Sequence, residues 1–91
     1  MDNTTRKLAE YITRLDYSAL SAQAVHETKK RLVDAIACAI GGYASEPADI
    51  ARKVSANVSG TPAARIFNTG KTTSIDMAAF TNATMVRYLD F

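Results

Sequence analysis

Apolar residues recur along this chain with the spacing of α-helices. In the first segment, apolar side chains stand three or four residues apart, at Leu8, Tyr11, Ile12 and Leu15. Charged residues such as Arg6, Lys7, Glu10 and Arg14 fill the positions between them. One face of the segment is therefore apolar and the other faces water. This pattern predicts an amphipathic helix over residues 4–15.

Three further helical patterns follow, over residues 21–41, 47–58 and 73–90. Ser21 precedes the second helix and suits its N-cap, while Gly41 and Gly42 suit a left-handed cap at its end. Pro47 is well placed at the first position of the third helix, after Ser45 or Glu46.

The segment before the fourth helix contains turn residues and one possible strand. Ala64–Phe67 can be extended, and Asn68–Gly70 predicts a turn. Thr73 and Asp76 have the spacing of a capping box at the start of the helix. Four helical patterns and at most one short strand predict an all-α fold. We expect a helical bundle of about four helices across residues 1–91, as a single domain or part of one.

The inward-facing positions predict the hydrophobic core. We expect this shared core to consist of Leu32, Ile36, Ile40, Val54 and Met85. Hydrophobic residues make up 47% of the chain, but aromatic residues only 8%, and many of the rest are alanines. A chain of this size buries a modest share of its surface. We therefore expect close helix–helix contacts, with further chain or a second subunit completing the core.

Charge and cysteine content exclude several classes of protein. Eleven basic residues against nine acidic ones give a net charge of +2, and no clustered basic face indicates nucleic-acid or membrane binding. The run Lys29–Arg31 is interpreted as a solvated helix face. Ala35–Ile40 is too short to span a bilayer, and no leader opens the chain. The single cysteine, Cys38, excludes an internal disulfide and suits a reducing compartment. We therefore expect a cytoplasmic protein, or an organellar one whose leader has been removed.

Two features resemble ligand sites only superficially. Gly70-Lys71-Thr72 resembles the end of a phosphate-binding loop, but that loop needs a glycine five residues before Gly70, where Arg65 stands. We interpret the segment as a turn with a solvated lysine. His26 is the only histidine, with no other His or Cys at ligand spacing, so we expect no metal site and a surface position.

Asp90 is the strongest candidate for chemistry. It stands between Leu89 and Phe91 at the C-terminal end of the fourth predicted helix. A negative charge there opposes the helix macrodipole, and apolar neighbours raise the cost of ionisation. The residues alone favour an i,i+3 ion pair with Arg87.

Several segments resemble the MmgE/PrpD family. Ala78–Ala83 followed by Arg87–Phe91 looks like the family's N-terminal signature, while Leu8–Ile12 and Lys30–Gly42 look like its first two helices. The family includes 2-methylcitrate dehydratase, cis-aconitate decarboxylase and iminodisuccinate epimerase. Its members are several times longer than this chain. The resemblance implies the N-terminal part of the family's helical domain, cut inside the first active-site motif.

The resemblance also implies a function. We expect a cofactor-independent lyase, similar to the 2-methylcitrate dehydratase of propionate catabolism, that removes water from a small tricarboxylate. Asp90 matches the first aspartate of the family's acidic motif and is the expected catalytic residue. Arg87, which stands where many members have histidine, is the expected substrate-binding residue. The full-length protein is expected to be a homodimer without a metal.

Other functions stay open at this point. Decarboxylation or epimerisation could occur on the same scaffold, because fold-level resemblance does not fix the reaction. A non-enzymatic helical module that binds a partner through its alanine-rich faces is the alternative from a different class. We expect the 91 residues alone to be inactive, since the family's later histidines and lysines are absent.

Overall fold

The computed structural model describes residues 2–89 of the chain. These residues form four α-helices, which are α1 (Asn3–Arg14), α2 (Ala22–Gly42), α3 (Glu46–Ser55) and α4 (Ile75–Arg87). A short 3-10 helix covers Tyr17–Ala19. Two strands, β1 (Ala63–Arg65) and β2 (Thr72–Ser74), pair antiparallel with Ala64 opposite Thr73. The predicted all-α class is confirmed, with a small two-stranded sheet where the sequence indicated at most one strand.

Local hydrogen bonds explain where the helices begin. Ser21 Oγ accepts a hydrogen bond from the Ala24 amide at 3.0 Å, and Ser45 Oγ accepts one from the Ala48 amide at 3.4 Å. Both serines therefore cap helices. The cap at Ser21 was predicted from the sequence, and the structure assigns the second cap to Ser45, where the sequence left Ser45 or Glu46 open. The predicted cap at Thr73 is wrong, because Thr73 lies in β2. The N-cap of α4 is the next residue, Ser74.

The chain divides into two compact units, one up to Lys30 and one from Arg31 onward. The first unit contains α1, the 3-10 helix and the beginning of α2. The amphipathic pattern of α1 is confirmed, but no residue from 2 to 30 is buried. The apolar face of α1 is exposed, at Leu8, Tyr11, Ile12 and Leu15.

The second unit contains the buried core, which is built largely from small side chains. Ala39, Ala48, Ile66 and Met85 form one cluster, and Tyr43, Phe67 and Val86 pack against it. Where α3 packs on α4, the buried residues include Ala51 and Ala78. The expectation of close contacts between alanine-rich helices is confirmed. Of the five predicted core residues, Met85 is the one that is buried.

The other four predicted core residues are exposed. Leu32 and Ile40 are each 59% accessible, and Ile36 and Val54 are 40% and 52% accessible. Small residues form the covered face of α2 instead. They recur at helical spacing, at Ala35, Cys38, Ala39 and Gly42. This face adjoins the stripe of large aliphatic residues on the same helix. Small side chains let a neighbouring backbone approach closely, so they occupy the contact.

The two glycines at the end of α2 serve packing rather than capping. Both lie inside the helix, and among the described glycines only Gly70 has a positive φ. The prediction of a left-handed cap is therefore wrong. A Cβ at Gly42 would collide with the main-chain carbonyl of Met85 on α4, whereas one at Gly41 would meet only the end of the Leu89 side chain. Gly42 thus permits backbone contact between α2 and α4.

No helix within residues 2–89 combines the length and the apolar character needed to cross a lipid bilayer.

We expect Gly42→Ala to lower the free energy of unfolding by about 1–3 kcal/mol, because the new methyl group forces α4 away from α2. Gly41→Ala is the matched control. Its methyl group meets a flexible side chain, so the variant should be unchanged or up to about 1 kcal/mol more stable through higher helix propensity. Urea denaturation measures both. Equal effects of the two substitutions would rule out the close approach at Gly42.

Candidate active site

Of the two predicted site residues, the structure describes only Arg87. Arg87 is the last residue of α4 and is exposed, and Tyr88 follows as the C-cap. Asp90 lies outside the described residues, and its catalytic role stays a prediction. The structure does describe the contacts that hold α4, the helix that ends at Arg87, against the rest of the second unit.

The start of α4 is anchored by its own cap. Ser74 Oγ accepts a hydrogen bond from the Met77 amide at 3.4 Å and donates one to Asp76 Oδ1 at 2.6 Å. The hydrogen bond from Ser74 lowers the pKa of the Asp76 carboxyl, with a smaller contribution from the Met77 amide. The carboxylate therefore stays ionised at the positive end of the helix dipole.

Three buried hydroxyl groups join α4 to α3 and β2. Ser55 Oγ and Thr81 Oγ1 lie 2.6 Å apart, and both residues are fully buried. Thr73 Oγ1 lies 3.0 Å from the Ser55 carbonyl oxygen and 2.8 Å from that of Val58, and shares its proton between them. No buried side-chain oxygen or nitrogen in residues 2–89 lacks a partner. We call Ser55, Thr73 and Thr81 the hydroxyl cluster.

Asn82 connects the middle of α4 to the segment that includes β1. Its Oδ1 accepts a hydrogen bond from the Phe67 amide at 2.8 Å, and its Nδ2 donates one to the Arg65 carbonyl at 3.1 Å. The side-chain amide thus pairs with the main chain as a neighbouring strand would. A rotation or translation of α4 would break both bonds, so Asn82 fixes the register of the helix.

The last turns of α4 are held by Met85. Its side chain is fully buried, and its sulfur accepts a hydrogen bond from Arg52 Nη1 at 3.7 Å. The guanidinium of Arg52 also lies over the Tyr43 ring, 4.0 Å from its centroid. Because Met85 precedes Arg87 by two residues, these contacts determine where the end of α4 lies within the second unit.

The structure places both weaker ligand candidates, Lys71 and His26, at exposed positions. Lys71 leads through Thr72 into a strand rather than into a helix, so the geometry of a phosphate-binding loop is not formed. No group of three or more potential metal ligands occurs among residues 2–89.

Sequence reasoning missed the hydroxyl cluster and the role of Arg52. The sequence did contain one indication of the hydroxyl cluster. Thr81 is a polar residue at an inward-facing position of a helix that is otherwise rich in small side chains. For Arg52 there was no local signal, because its partners Tyr43 and Met85 come from other parts of the chain.

A comparison with known families identifies the scaffold. The model of the MmgE/PrpD N-terminal domain matches residues 6–91. The chain belongs to the MmgE/PrpD family. Among the curated proteins and the solved structures, nothing matches it significantly. The match confirms the resemblance carried by the sequence segments, and it places Asn82 and the hydroxyl cluster inside the MmgE/PrpD N-terminal domain.

We expect Asn82→Ala to destabilise this MmgE/PrpD domain by about 1–3 kcal/mol, because it leaves the Phe67 amide and the Arg65 carbonyl without their partner. Asn57→Ala is the control. That asparagine is exposed and only bonds within its own helical turn, so the change should stay within about 0.5 kcal/mol. Urea denaturation and hydrogen exchange of the Phe67 amide are the measurements. Unaltered exchange at Phe67 would contradict the register role of Asn82.

Proposed function

We propose that this chain is the N-terminal part of a cofactor-independent lyase that removes water from a small tricarboxylate, as 2-methylcitrate dehydratase does. The observation that carries the proposal is the family match over residues 6–91. A domain described as N-terminal belongs to a longer protein, so the activity is proposed for that protein and not for these 91 residues.

The proposed reaction requires a base and positive charge near the substrate. A base removes the proton next to a carboxylate, a carbon–carbon double bond forms, and the C–O bond on the adjacent carbon breaks. The departing hydroxide takes up a proton and leaves as water. Negative charge accumulates on the carboxylate as the proton departs, so cationic hydrogen-bond donors accelerate the step.

Arg87 suits the role of a carboxylate-binding residue. Its guanidinium can donate two parallel hydrogen bonds to a carboxylate, and it stands exposed at the end of a well-anchored helix. Asp90 is proposed to contact the substrate or to orient a catalytic group. One carboxylate cannot act both as the base and as the stabiliser of the developing charge. The remaining ionisable groups are proposed to come from later in the longer protein.

Exposed apolar residues support the proposal that this domain is covered in the longer protein. Leu32, Ile36 and Ile40 form a stripe along α2 that residues 2–89 leave accessible. We propose that later chain or a second subunit of a homodimer packs there.

The decisive experiment is a turnover assay of the longer protein that contains this chain. We expect water elimination from 2-methylcitrate without an added cofactor, and no turnover by the purified 91-residue chain. If the longer protein instead decarboxylates cis-aconitate or epimerises iminodisuccinate, that reaction replaces the proposed one. Failure with all three substrates would favour a non-enzymatic helical module, and turnover by the 91 residues would refute the need for later residues.

For the same longer protein, we expect Asp90→Asn to lower kcat by about a hundredfold or more. Its melting temperature should stay the same or rise slightly, because the sequence predicts that this negative charge opposes the dipole at the C-terminal end of a helix. Asp76→Asn is the control, since it removes a carboxylate from the first turn of α4. It should keep kcat and lower the stability. Unchanged turnover with reduced stability in Asp90→Asn would make Asp90 a structural partner only.

A further inference from the structure

A basic hollow lies between α3 and the turn that joins β1 to β2. It has a volume of about 730 Å³. Arg52, Lys53 and Lys71 line it, together with Tyr43, Thr69 and Gly70, and no acidic residue within residues 2–89 does so. Every lining residue belongs to the second compact unit. We refer to this feature as the basic hollow.

The positive charge of the basic hollow is largely uncompensated. Lys53 pairs with Asp49 at 2.9 Å, and both side chains remain well exposed. Neither Arg52 nor Lys71 forms an ion pair within residues 2–89. Two cations that line one concavity without a carboxylate partner produce a positive potential, and concave walls of low dielectric concentrate it.

Arg52 is held in place before any ligand arrives. Its side chain is half-buried, stacked on Tyr43, and hydrogen-bonded to the sulfur of Met85. A thioether is a weak acceptor and takes only one of the five N–H donors of the guanidinium. A carboxylate or phosphate is a stronger acceptor for the remaining donors. Because the side chain is already ordered, binding costs little further conformational entropy.

The turn on the other side is fixed by its own hydrogen bonds. Thr69 Oγ1 donates to the Ile66 carbonyl at 2.8 Å and accepts from the Lys71 amide at 3.0 Å. Asn68 and Gly70 adopt positive φ angles of 64° and 72°. The turn therefore presents Lys71 to the basic hollow from a defined backbone, opposite the cations of α3.

We propose that the basic hollow binds a small polyanion, a molecule with two or more carboxylate or phosphate groups. Its volume is in the range of small-molecule sites, and three cations suit a compact anion rather than an extended nucleic acid. The proposal goes beyond the lyase function, because Arg87, the described candidate for substrate binding, is not among the residues that line the basic hollow.

The test is binding of citrate and, separately, of inorganic pyrophosphate to the 91-residue chain at low ionic strength, followed by the backbone amide NMR signals. We expect saturable shifts at Thr69, Gly70 and Lys71. Lys71→Gln should weaken binding by about tenfold, and Lys53→Gln should weaken it as well. Lys7→Gln is the control, because it removes the same charge from an exposed residue that does not line the basic hollow. It should leave the affinity within about twofold.

The two ligands distinguish the source of the anion. Binding of citrate alone assigns a polycarboxylate, binding of pyrophosphate alone assigns a phosphate compound, and binding of both supports the shared chemistry. Absence of saturable shifts with either ligand overturns the proposal, as does equal weakening by Lys7→Gln and Lys71→Gln. Lys71 is exposed and forms no ion pair with any described residue, so its substitution should keep the melting temperature. Because turnover of the longer protein is a separate measurement, failure here leaves the lyase proposal intact.

Discussion

The close approach of α4 to its neighbours is the constraint on which the second unit depends. At Gly42 the main chain of α2 comes so near the carbonyl of Met85 that a single methyl group would not fit. Small buried side chains also let α3 and α4 pack closely, at Ala48, Ala51 and Ala78. Large side chains would hold the helices apart. The abundance of alanine is therefore a requirement of the packing, and much of the larger apolar surface stays on the outside.

Short distances between backbones make the buried polar contacts possible. The hydroxyls of Ser55 and Thr81 can meet only because the two helices touch, and Thr73 reaches carbonyl groups at the end of α3 for the same reason. Apolar contacts tolerate small slides, whereas a buried hydroxyl or amide without a partner is costly. The hydroxyl cluster and Asn82 therefore select one register of α4 among the many that alanine packing alone would allow.

This arrangement bears on both proposed sites. The same helix that carries Arg87 is fixed at its start by Ser74, in the middle by Asn82 and near its end by Met85. Arg52 contributes to both regions, because it donates a hydrogen bond to the sulfur of Met85 and also lines the basic hollow. The part of the candidate active site within residues 2–89 is thus a rigid support. The catalytic assignment of Asp90 came from family resemblance, because local physics favoured an ion pair with Arg87.

The sequence by itself determined the helices, the cap at Ser21, the turn before β2 and the family. Periodicity and capping act within a few residues, so they can be recognised without the fold. Only the tertiary structure decided which face of α2 is buried, because its small-residue and aliphatic stripes are adjacent and periodicity does not distinguish them. It also decided that Thr73 belongs to a strand and that Arg52 lines a basic hollow. Those outcomes depend on partners far away in the sequence, whose proximity is a product of folding.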